Sequence, residues 1–235
     1  MITYPELIER LKEIKEMGYI RTHRAGNTGI GKTLEDLLGI KENNIPGPNA
    51  AMIELKSARR KASSMLTLFT KAPLPRKANS VLLQKFGYES PKWKGKKILH
   101  TTVNALRYNQ LKTAPGFKIN AEEDRICLVS PQKEILGYWD KETLKKSFER
   151  KLPKVLYVKA ETEDYGHNEK FWFNEAWLLN GFNFYNFIIL LKKKVILVDI
   201  RIGQYSNGRT HDHGTGFRVL RNHIDLCFQN REKIM

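Results

Sequence analysis

Two residues placed two positions apart, Glu54 and Lys56, form the pattern in this sequence that best suits hydrolytic chemistry. On a β-strand the side chains alternate between two faces, so Glu54 and Lys56 share one face while Ile53 and Leu55 point to the core. The carboxylate could hold a divalent cation against a phosphodiester, and the amine could orient the attacking water. By composition alone, however, a surface ion pair explains such a triplet better in a lysine-rich chain.

The glycine-rich stretch GNTGIGKT at residues 26–33 satisfies the phosphate-loop pattern G-x-x-x-x-G-K-[ST]. A phosphate loop requires a buried strand that delivers backbone N–H groups to the start of a helix. Residues 18–25 contain one short apolar pair followed by basic and imidazole side chains, which does not suit a buried central strand. We therefore interpret the stretch as a plain helix-entry loop or a loop that grips DNA phosphates. A phosphate-loop NTPase, with Asp199 as its magnesium ligand, is kept as an alternative.

The chain is strongly basic, with 41 Lys and Arg residues against 25 Asp and Glu residues, a formal net charge of +16 and a pI of about 9.8. A polyanionic partner follows from this charge, and nucleic acid is the commonest one. The longest apolar run, residues 184–191, is too short to span a membrane. Cys127 and Cys227 are isolated in sequence and indicate buried thiols in a reducing compartment, so we expect a cytoplasmic protein.

Hydrophobic periodicity and turn residues predict a mixture of strands and helices without a regular βαβ alternation. This mixture indicates an α/β or α+β class with one mixed sheet, and the length fits a single domain. The basic segment 71–97 is predicted to be a surface excursion. Helices are predicted at 4–17, at 34–38 with Thr33 as the cap, at 141–149, and from Asn174 into 179. Strands are predicted at 51–57, 65–70, 118–119, 126–129, 135–139, 155–160, 171–173, 195–202 and 217–220.

Four blocks in a fixed order add a more specific signal: GNTGIGKTLEDLLG, PNAAMIELKS, LTLFTK, and VDIRIGQY followed by THDHGTGFRV. Together they resemble the MvaI/BcnI family of type II restriction endonucleases, which are related to the mismatch-repair nicking enzyme MutH. The resemblance implies the PD-(D/E)xK nuclease fold, a central mixed sheet flanked by helices. It also implies one nuclease domain over 1–235, with a catalytic part in about 1–70 plus the central strands and a DNA-recognition part in about 71–120 and 195–222.

The resemblance also implies an activity and its partners. Family members look like Mg²⁺-dependent monomers that cleave double-stranded DNA one strand at a time, within short G·C-rich sites carrying a variable central pair. The LTLFTK and THDHG blocks favour an A·T centre between CC and GG. A cognate DNA methyltransferase is expected as a genetic partner rather than a physical one.

Carried over to this sequence, the resemblance assigns the catalytic residues. Glu54 and Lys56 match the E-x-K part of the active site, and Glu35 matches an acidic helix residue beside the metal. Asn49 stands where the family pattern has Asp, and it would share the metal with Glu54. Because an amide oxygen brings no charge, cation binding and rate should fall. The chain is therefore a working or weakened endonuclease, a catalytically silent sequence-specific DNA-binding protein, or a MutH-like repair nickase.

The carboxy-terminal block suits base recognition on chemical grounds. Arg201 and Arg218 can each offer two donors to guanine O6 and N7, and Asp199 or Asp212 can accept from the N4 amine of cytosine. Arg201 and Asp199 share a strand face, so a simple ion pair between them is the alternative explanation.

His211 and His213 can donate or accept beside these bases, although they could instead be ligands of a His-metal nuclease that lacks an obvious third ligand. In the family's arrangement Thr70 and Lys71 lie near the centre of the site, and Tyr205 matches a DNA-facing aromatic. A cluster of lysines around Trp93 is predicted to contact phosphates: Lys85, Lys92, Lys94, Lys96 and Lys97.

Overall fold

The computed structural model describes residues 2–40, 53–111 and 115–235. The chain divides into two compact units, each built from more than one segment. The first unit comprises Met1–Ser64, Arg150–Phe182 and Phe228–Met235, and the second comprises Met65–Glu149 and Asn183–Cys227. The assignment of the whole chain to a single nuclease domain stays a prediction.

The helices and strands follow one another in an irregular alternation. In chain order they are α1 (Tyr4–Glu16), β1 (Ile20–Arg21), α2 (Gly29–Leu37), β2 (Glu54–Arg59), β3 (Leu66–Thr70), α3 (Ala78–Phe86), β4 (Tyr88–Glu89), β5 (Lys97–Val103), β6 (Lys118–Ala121), β7 (Arg125–Val129), β8 (Ile135–Asp140), α4 (Lys141–Lys151), β9 (Lys154–Glu163), β10 (Lys170–Asn180), α5 (Phe184–Lys192), β11 (Ile196–Gln204), β12 (Thr210–Asp212), β13 (Gly216–Val219) and β14 (Asn230–Lys233). Two short 3₁₀ helices lie at Gly166–Asn168 and Arg221–Leu226.

The first unit is built on a five-stranded mixed sheet in the order β1-β10-β9-β2, with β14 paired to β10. Strand β2 is parallel to β9, whereas the other pairs are antiparallel. Helix α1 begins at a capping box formed by Thr3 and Glu6 and buries Leu7 and Leu11. These leucines pack with Leu34 of α2 and the apolar residues of the sheet in one core. Strand β2 thus lies at an edge of the described sheet, with one face held to the core.

The second unit contains a six-stranded antiparallel sheet in the order β3-β13-β11-β5-β4, with β12 paired to β11. A separate three-stranded antiparallel sheet has the order β6-β7-β8. Phenylalanine rings fill the core, where Phe69 stacks on Phe217 at 5.0 Å and both contact Phe187. One face of the larger sheet is therefore apolar, and its other face is free to carry polar side chains.

The mixed α/β class is confirmed, but the prediction of one sheet is wrong, because the strands of the described residues form three sheets. Segment 174–179 was predicted as the start of a helix and is part of β10 instead. Strand β10 pairs with β9 on one side and β14 on the other, so sheet pairing overrides the local preference. Segment 71–97 is not only a surface excursion, since α3 buries Leu82 and Leu83 within it.

The second helix begins inside the glycine-rich loop, at Gly29, and not after Thr33. Thr33 is fully buried in this helix, where its hydroxyl donates to Gly29 O at 2.9 Å and accepts from the backbone N–H of His23. Strand β1, which precedes the loop, is two residues long and lies at the sheet edge. The buried strand that a nucleotide phosphate loop requires is thus not found there in the described sheet.

Both cysteines are buried, as predicted. Burial raises the pKa of Cys127 to about 11 and the pKa of Cys227 to about 12, so both thiols stay protonated. Among the helices of the described residues, none combines the length and the apolar character needed to cross a bilayer.

Candidate active site

Glu54 opens the edge strand β2 and is only 2% exposed. Parallel pairing of Leu55 with Leu156 holds the strand against β9, and Ile53 and Leu55 belong to the core as alternation predicts. Glu54 Oε1 accepts a hydrogen bond from Lys56 Nζ at 2.6 Å and another from Lys151 Nζ at 3.1 Å. The carboxylate is buried between two ammonium groups, so the alternative of a surface ion pair does not describe it.

The second carboxylate oxygen of Glu54, Oε2, is buried and has no hydrogen-bond partner among the described residues. A buried acceptor left without a partner costs free energy on the order of 1–3 kcal/mol. A hard divalent cation prefers carboxylate oxygens as ligands, and it would supply the missing partner. The chemistry of this residue therefore fits a metal ligand.

Lys56 lies on the same strand face and is also largely buried, with 17% of its side chain exposed. Burial lowers the pKa of Lys56, since it disfavours the charged ammonium. The carboxylate of Glu54 opposes this effect, while Lys151 adds to it and Glu35 opposes it more weakly. The Lys56 amine therefore lies near one other lysine, Lys151, and near two glutamates, Glu54 and Glu35, within the first unit.

Glu35, on α2, lines a cavity of about 320 Å³ together with Ser57 of β2. The remaining lining residues come from the glycine-rich loop and the start of α2, and they are Arg24, Asn27, Thr28, Ile30, Gly31 and Lys32. Asn49, the predicted partner of Glu54 in metal binding, lies outside the described residues.

The glycine-rich loop is held in place by an arginine from the strand that carries Glu54. Arg59 donates from Nη2 to Gly26 O at 3.1 Å and to Glu169 Oε2 at 2.6 Å. Glu169 is 6% exposed, so this ion pair is largely withdrawn from water. The loop backbone is thereby fixed beside the cavity that Glu35 lines.

In the second unit, Asp199 is fully buried in β11 and binds two arginines. Its Oδ2 lies 2.7 Å from Arg201 Nε and 3.0 Å from Arg218 Nε, while its Oδ1 accepts from Thr102 Oγ1 at 3.0 Å. Arg201 Nε donates a hydrogen bond to this oxygen, whereas Arg218 Nε lies within ion-pair distance of it without a hydrogen bond. A contact between Asp199 and cytosine, as the sequence predicts, would require these ion pairs to open.

Asp212 also binds protein groups. Its Oδ1 accepts from the backbone N–H groups of Gly214 and Thr215, and its Oδ2 accepts from Asn79 Nδ2 at 2.9 Å. Thr215 in turn accepts from the backbone N–H of Arg201 through Oγ1 at 3.0 Å. In this structure Asp212 shapes the loop beside β11.

The two histidines of this loop lie in a group of aromatic rings. Tyr205 stacks on His211 with ring centroids 4.0 Å apart, and His211 meets His213 edge to face at 3.8 Å. Burial lowers the pKa of His211, and the neighbouring His213 lowers it further, which favours the neutral ring. Across the described residues, no three His, Cys, Asp or Glu side chains are grouped to hold a metal ion.

Thr70 and Lys71 follow strand β3 and lie beside the same loop. Thr70 is exposed and pairs in register with Gly216, and the backbone N–H of Lys71 donates to Thr215 O at 2.9 Å. The residues of the LTLFTK block and of the carboxy-terminal block that were predicted to contact DNA all belong to the second unit, and their role in DNA binding stays a prediction.

Comparison with known proteins shows which family has this arrangement. The model of the MvaI/BcnI restriction endonuclease family matches residues 8–228. The chain belongs to this family. As an MvaI/BcnI member it is a DNA-binding and DNA-cleaving restriction endonuclease, that is, a site-specific deoxyribonuclease.

Two solved structures of a restriction endonuclease, MvaI, are similar to this MvaI/BcnI member. The structure of MvaI with its cognate DNA substrate has a TM-score of 0.86 and 31% identity, and the match covers 100% of both chains. MvaI in the absence of DNA has a TM-score of 0.57 and 32% identity, covering 100% of this chain and 99% of the other. No curated protein sequence gave a match. The predicted family and the predicted fold class are confirmed.

Several side chains at these MvaI/BcnI sites escaped the sequence analysis. Lys151 lies 97 residues from Glu54, and Thr102 lies 97 residues from Asp199. Asn79 likewise meets Asp212 across 133 residues. The spacing of residues in a sequence does not predict contacts over such separations, because these contacts arise only when the sheets form.

Proposed function

We propose that this MvaI/BcnI family member hydrolyses phosphodiester bonds of double-stranded DNA with Mg²⁺ bound by Glu54 and Asn49. The observation that carries the proposal is the buried Glu54 Oε2, which has no partner among the described residues. When bound, the ion would polarise the phosphodiester and raise the acidity of a coordinated water.

The other groups around Glu54 serve orientation and charge. Lys56 Nζ is anchored to Glu54 at 2.6 Å, so its remaining donors can orient the attacking water and offset charge on the pentacoordinate phosphate. Glu35, in the neighbouring cavity, would support the metal site from α2. Lys151 keeps Glu54 Oε1 occupied, which leaves Oε2 for the cation.

The residue at position 49 sets how well this site works. Asn49 can contact a cation through its amide oxygen but supplies no negative charge. We therefore propose that the enzyme needs more Mg²⁺ than an aspartate-bearing variant and cleaves more slowly at a given concentration.

For DNA recognition, we propose a CC-(W or N)-GG-like site with a preference for an A·T centre. Arg201 and Arg218, which both lie beside Asp199, would each bind guanine through their terminal guanidinium nitrogens. Asp199 acts here as the group that orients both arginines. Asp212 would shape the loop in the same indirect way.

The centre of the site would be contacted by the remaining predicted residues, which are Thr70, Lys71, Tyr205, His211 and His213. Exposed lysines around Trp93 would contact phosphates and fix the register without reading sequence. We further propose that the protein acts as a monomer and cuts the two strands in separate events. A methyltransferase that protects the same site would be its genetic partner.

Incubation with supercoiled plasmid carrying CCWGG and CCSGG sites tests the proposal. With Mg²⁺ we expect nicked circles to appear before linear DNA, and with EDTA we expect neither. Glu54→Gln should abolish cleavage, whereas Glu163→Gln, an exposed glutamate of the same sheet, should cleave as the parent does. Cleavage that survives in Glu54→Gln would reject Glu54 as the metal ligand.

One observation favours a weakened form of this endonuclease, which binds DNA but cleaves it too slowly to detect: the family aspartate is Asn49 in this sequence. Tight, sequence-specific binding in the same plasmid experiment, without product at any Mg²⁺ concentration, would support it. A MutH-like nickase would instead stop at nicked circles.

A further inference from the structure

His100 lies on β5, in the six-stranded sheet of the second unit, and the sequence analysis gave it no role. In the antiparallel pairing of β5 with β11, His100 lies directly opposite Arg201, and Thr102 lies opposite Asp199. Leu99 and Val103 of β5 are fully buried on the other face. By alternation, His100 therefore shares its face with Arg201.

The ring of His100 continues the group of aromatic rings formed by the loop. It meets the ring of His213 edge to face at 6.1 Å, and His213 in turn meets His211, which stacks on Tyr205. The row passes over Gly203 of β11, where a Cβ atom would lie 2.4 Å from His213 Nε2. Only glycine leaves room for the row to lie this close to the strand.

The chemical state of His100 suits the recognition of a base edge. Burial lowers the pKa of His100, Arg201 and His213 lower it further, and Asp199 opposes them. The neutral imidazole that results presents one donor and one acceptor. His100 is exposed, and its ring takes part in no hydrogen bond found among the described residues. Both ring nitrogens are therefore available to a ligand.

The spacing of the sheet indicates which base pair His100 would meet. Residues directly opposite in an antiparallel pair have Cβ atoms about 5 Å apart. Successive base pairs of B-DNA are about 3.4 Å apart. The side chains of Arg201 and His100 are thus close enough together to contact two neighbouring base pairs.

We propose that His100 is a further specificity-determining residue, which contacts the base pair next to the guanine bound by Arg201. The contact would be a hydrogen bond from the neutral imidazole to an acceptor of a purine, N7 or O6. This proposal rests on the proposed function, because it assumes that Arg201 enters the major groove.

Selection by binding tests the proposal without depending on catalysis. A duplex library with a randomised core is bound by the parent protein, His100→Ala and His100→Asn in Ca²⁺ buffer, and the retained sequences are counted. His167→Ala, an exposed histidine of the first unit, is the matched control. We expect His100→Ala to lose preference at one position beside a guanine by roughly tenfold, while the guanine positions persist. His100→Asn, which keeps a donor, should retain part of that preference, and the control should match the parent.

Each outcome is decisive. If the parent selects a sequence and His100→Ala selects the same one with equal preference at every position, His100 is not a specificity determinant and the proposed function stands. If the preference falls evenly at all positions in His100→Ala, His100 contributes only to general affinity and the proposal is overturned. If the parent selects no sequence at all, the proposed function and this inference both fail.

Discussion

Lys151 Nζ lies 3.1 Å from Glu54 Oε1, although 97 residues separate them. Lys151 is the last residue of α4, and it meets Glu54 at the start of β2. The carboxylate at the centre of the proposed metal site is therefore held by two lysines, the neighbouring Lys56 and the distant Lys151. This geometry explains how one oxygen of Glu54 is occupied while the other is left for a cation.

Replacement of Lys151 should slow cleavage without unfolding the protein. Lys151→Ala removes one of two donors to Glu54 Oε1, and a hydrogen bond to a charged group contributes about 1.5–3 kcal/mol. We expect a fall of roughly tenfold or more in the single-turnover rate at saturating DNA and Mg²⁺, with partial recovery in Lys151→Arg. Lys145→Ala, an exposed position on the same helix, serves as the control and should cleave normally. Equal rates for Lys151→Ala and the parent would show that this contact is dispensable.

Asp199 should matter for stability as well as for DNA recognition. Asp199→Asn removes the charge between Arg201 and Arg218, whose side chains are 37% and 21% exposed. Breaking a fully buried pair costs about 3–5 kcal/mol, and the partial exposure of both arginines reduces our expectation to about 2 kcal/mol. Urea unfolding followed by fluorescence measures this loss, and competition with non-specific DNA measures the expected loss of specificity.

Asp124→Asn provides the control for this change, because Asp124 is 81% exposed and lies far from the arginines in sequence. Its free energy of unfolding and its specificity should equal those of the parent. Full stability and full specificity in Asp199→Asn would contradict the role of Asp199 as the group that orients both arginines.

Part of the candidate active site can be predicted from the local sequence pattern, and part of it cannot. Alternation along β2 places Glu54 and Lys56 on one face, and it requires only neighbouring residues. The local sequence after Asn174 favours the start of a helix, yet this segment forms part of a strand because it pairs with β9 and β14. The contacts of Lys151 and Asp199 with their partners depend on which strands meet, and a single sequence carries no direct signal for that.

Histidine burial predicts how stability depends on pH. The pKa of His211 is lowered in the folded state, mainly by burial, so the unfolded chain binds a proton there more readily. The stability associated with the neutral ring is present above the pKa of about 6.5 that a histidine has in the unfolded chain. It is lost as the pH falls through the lower pKa that His211 has in the folded state. We expect the free energy of unfolding to decline between about pH 7 and pH 5 less steeply in His211→Asn than in the parent.

His167→Asn is the control for this titration, since His167 is exposed in the other unit. Its pH dependence should follow the parent. The measurement is urea unfolding at a series of pH values, and parallel curves for His211→Asn and the parent would show that the ring of His211 does not contribute.

The central claim is that Glu54 and position 49 share one divalent ion during cleavage. A double-mutant cycle with Asn49→Asp and Glu54→Gln, measured as single-turnover cleavage over a range of Mg²⁺ concentrations, tests it most directly. The account predicts that Asn49→Asp raises the rate at low Mg²⁺ by roughly tenfold or more in the parent and has no effect in the Glu54→Gln background. No gain from Asn49→Asp in the parent, or the same gain in both backgrounds, would contradict the shared metal site.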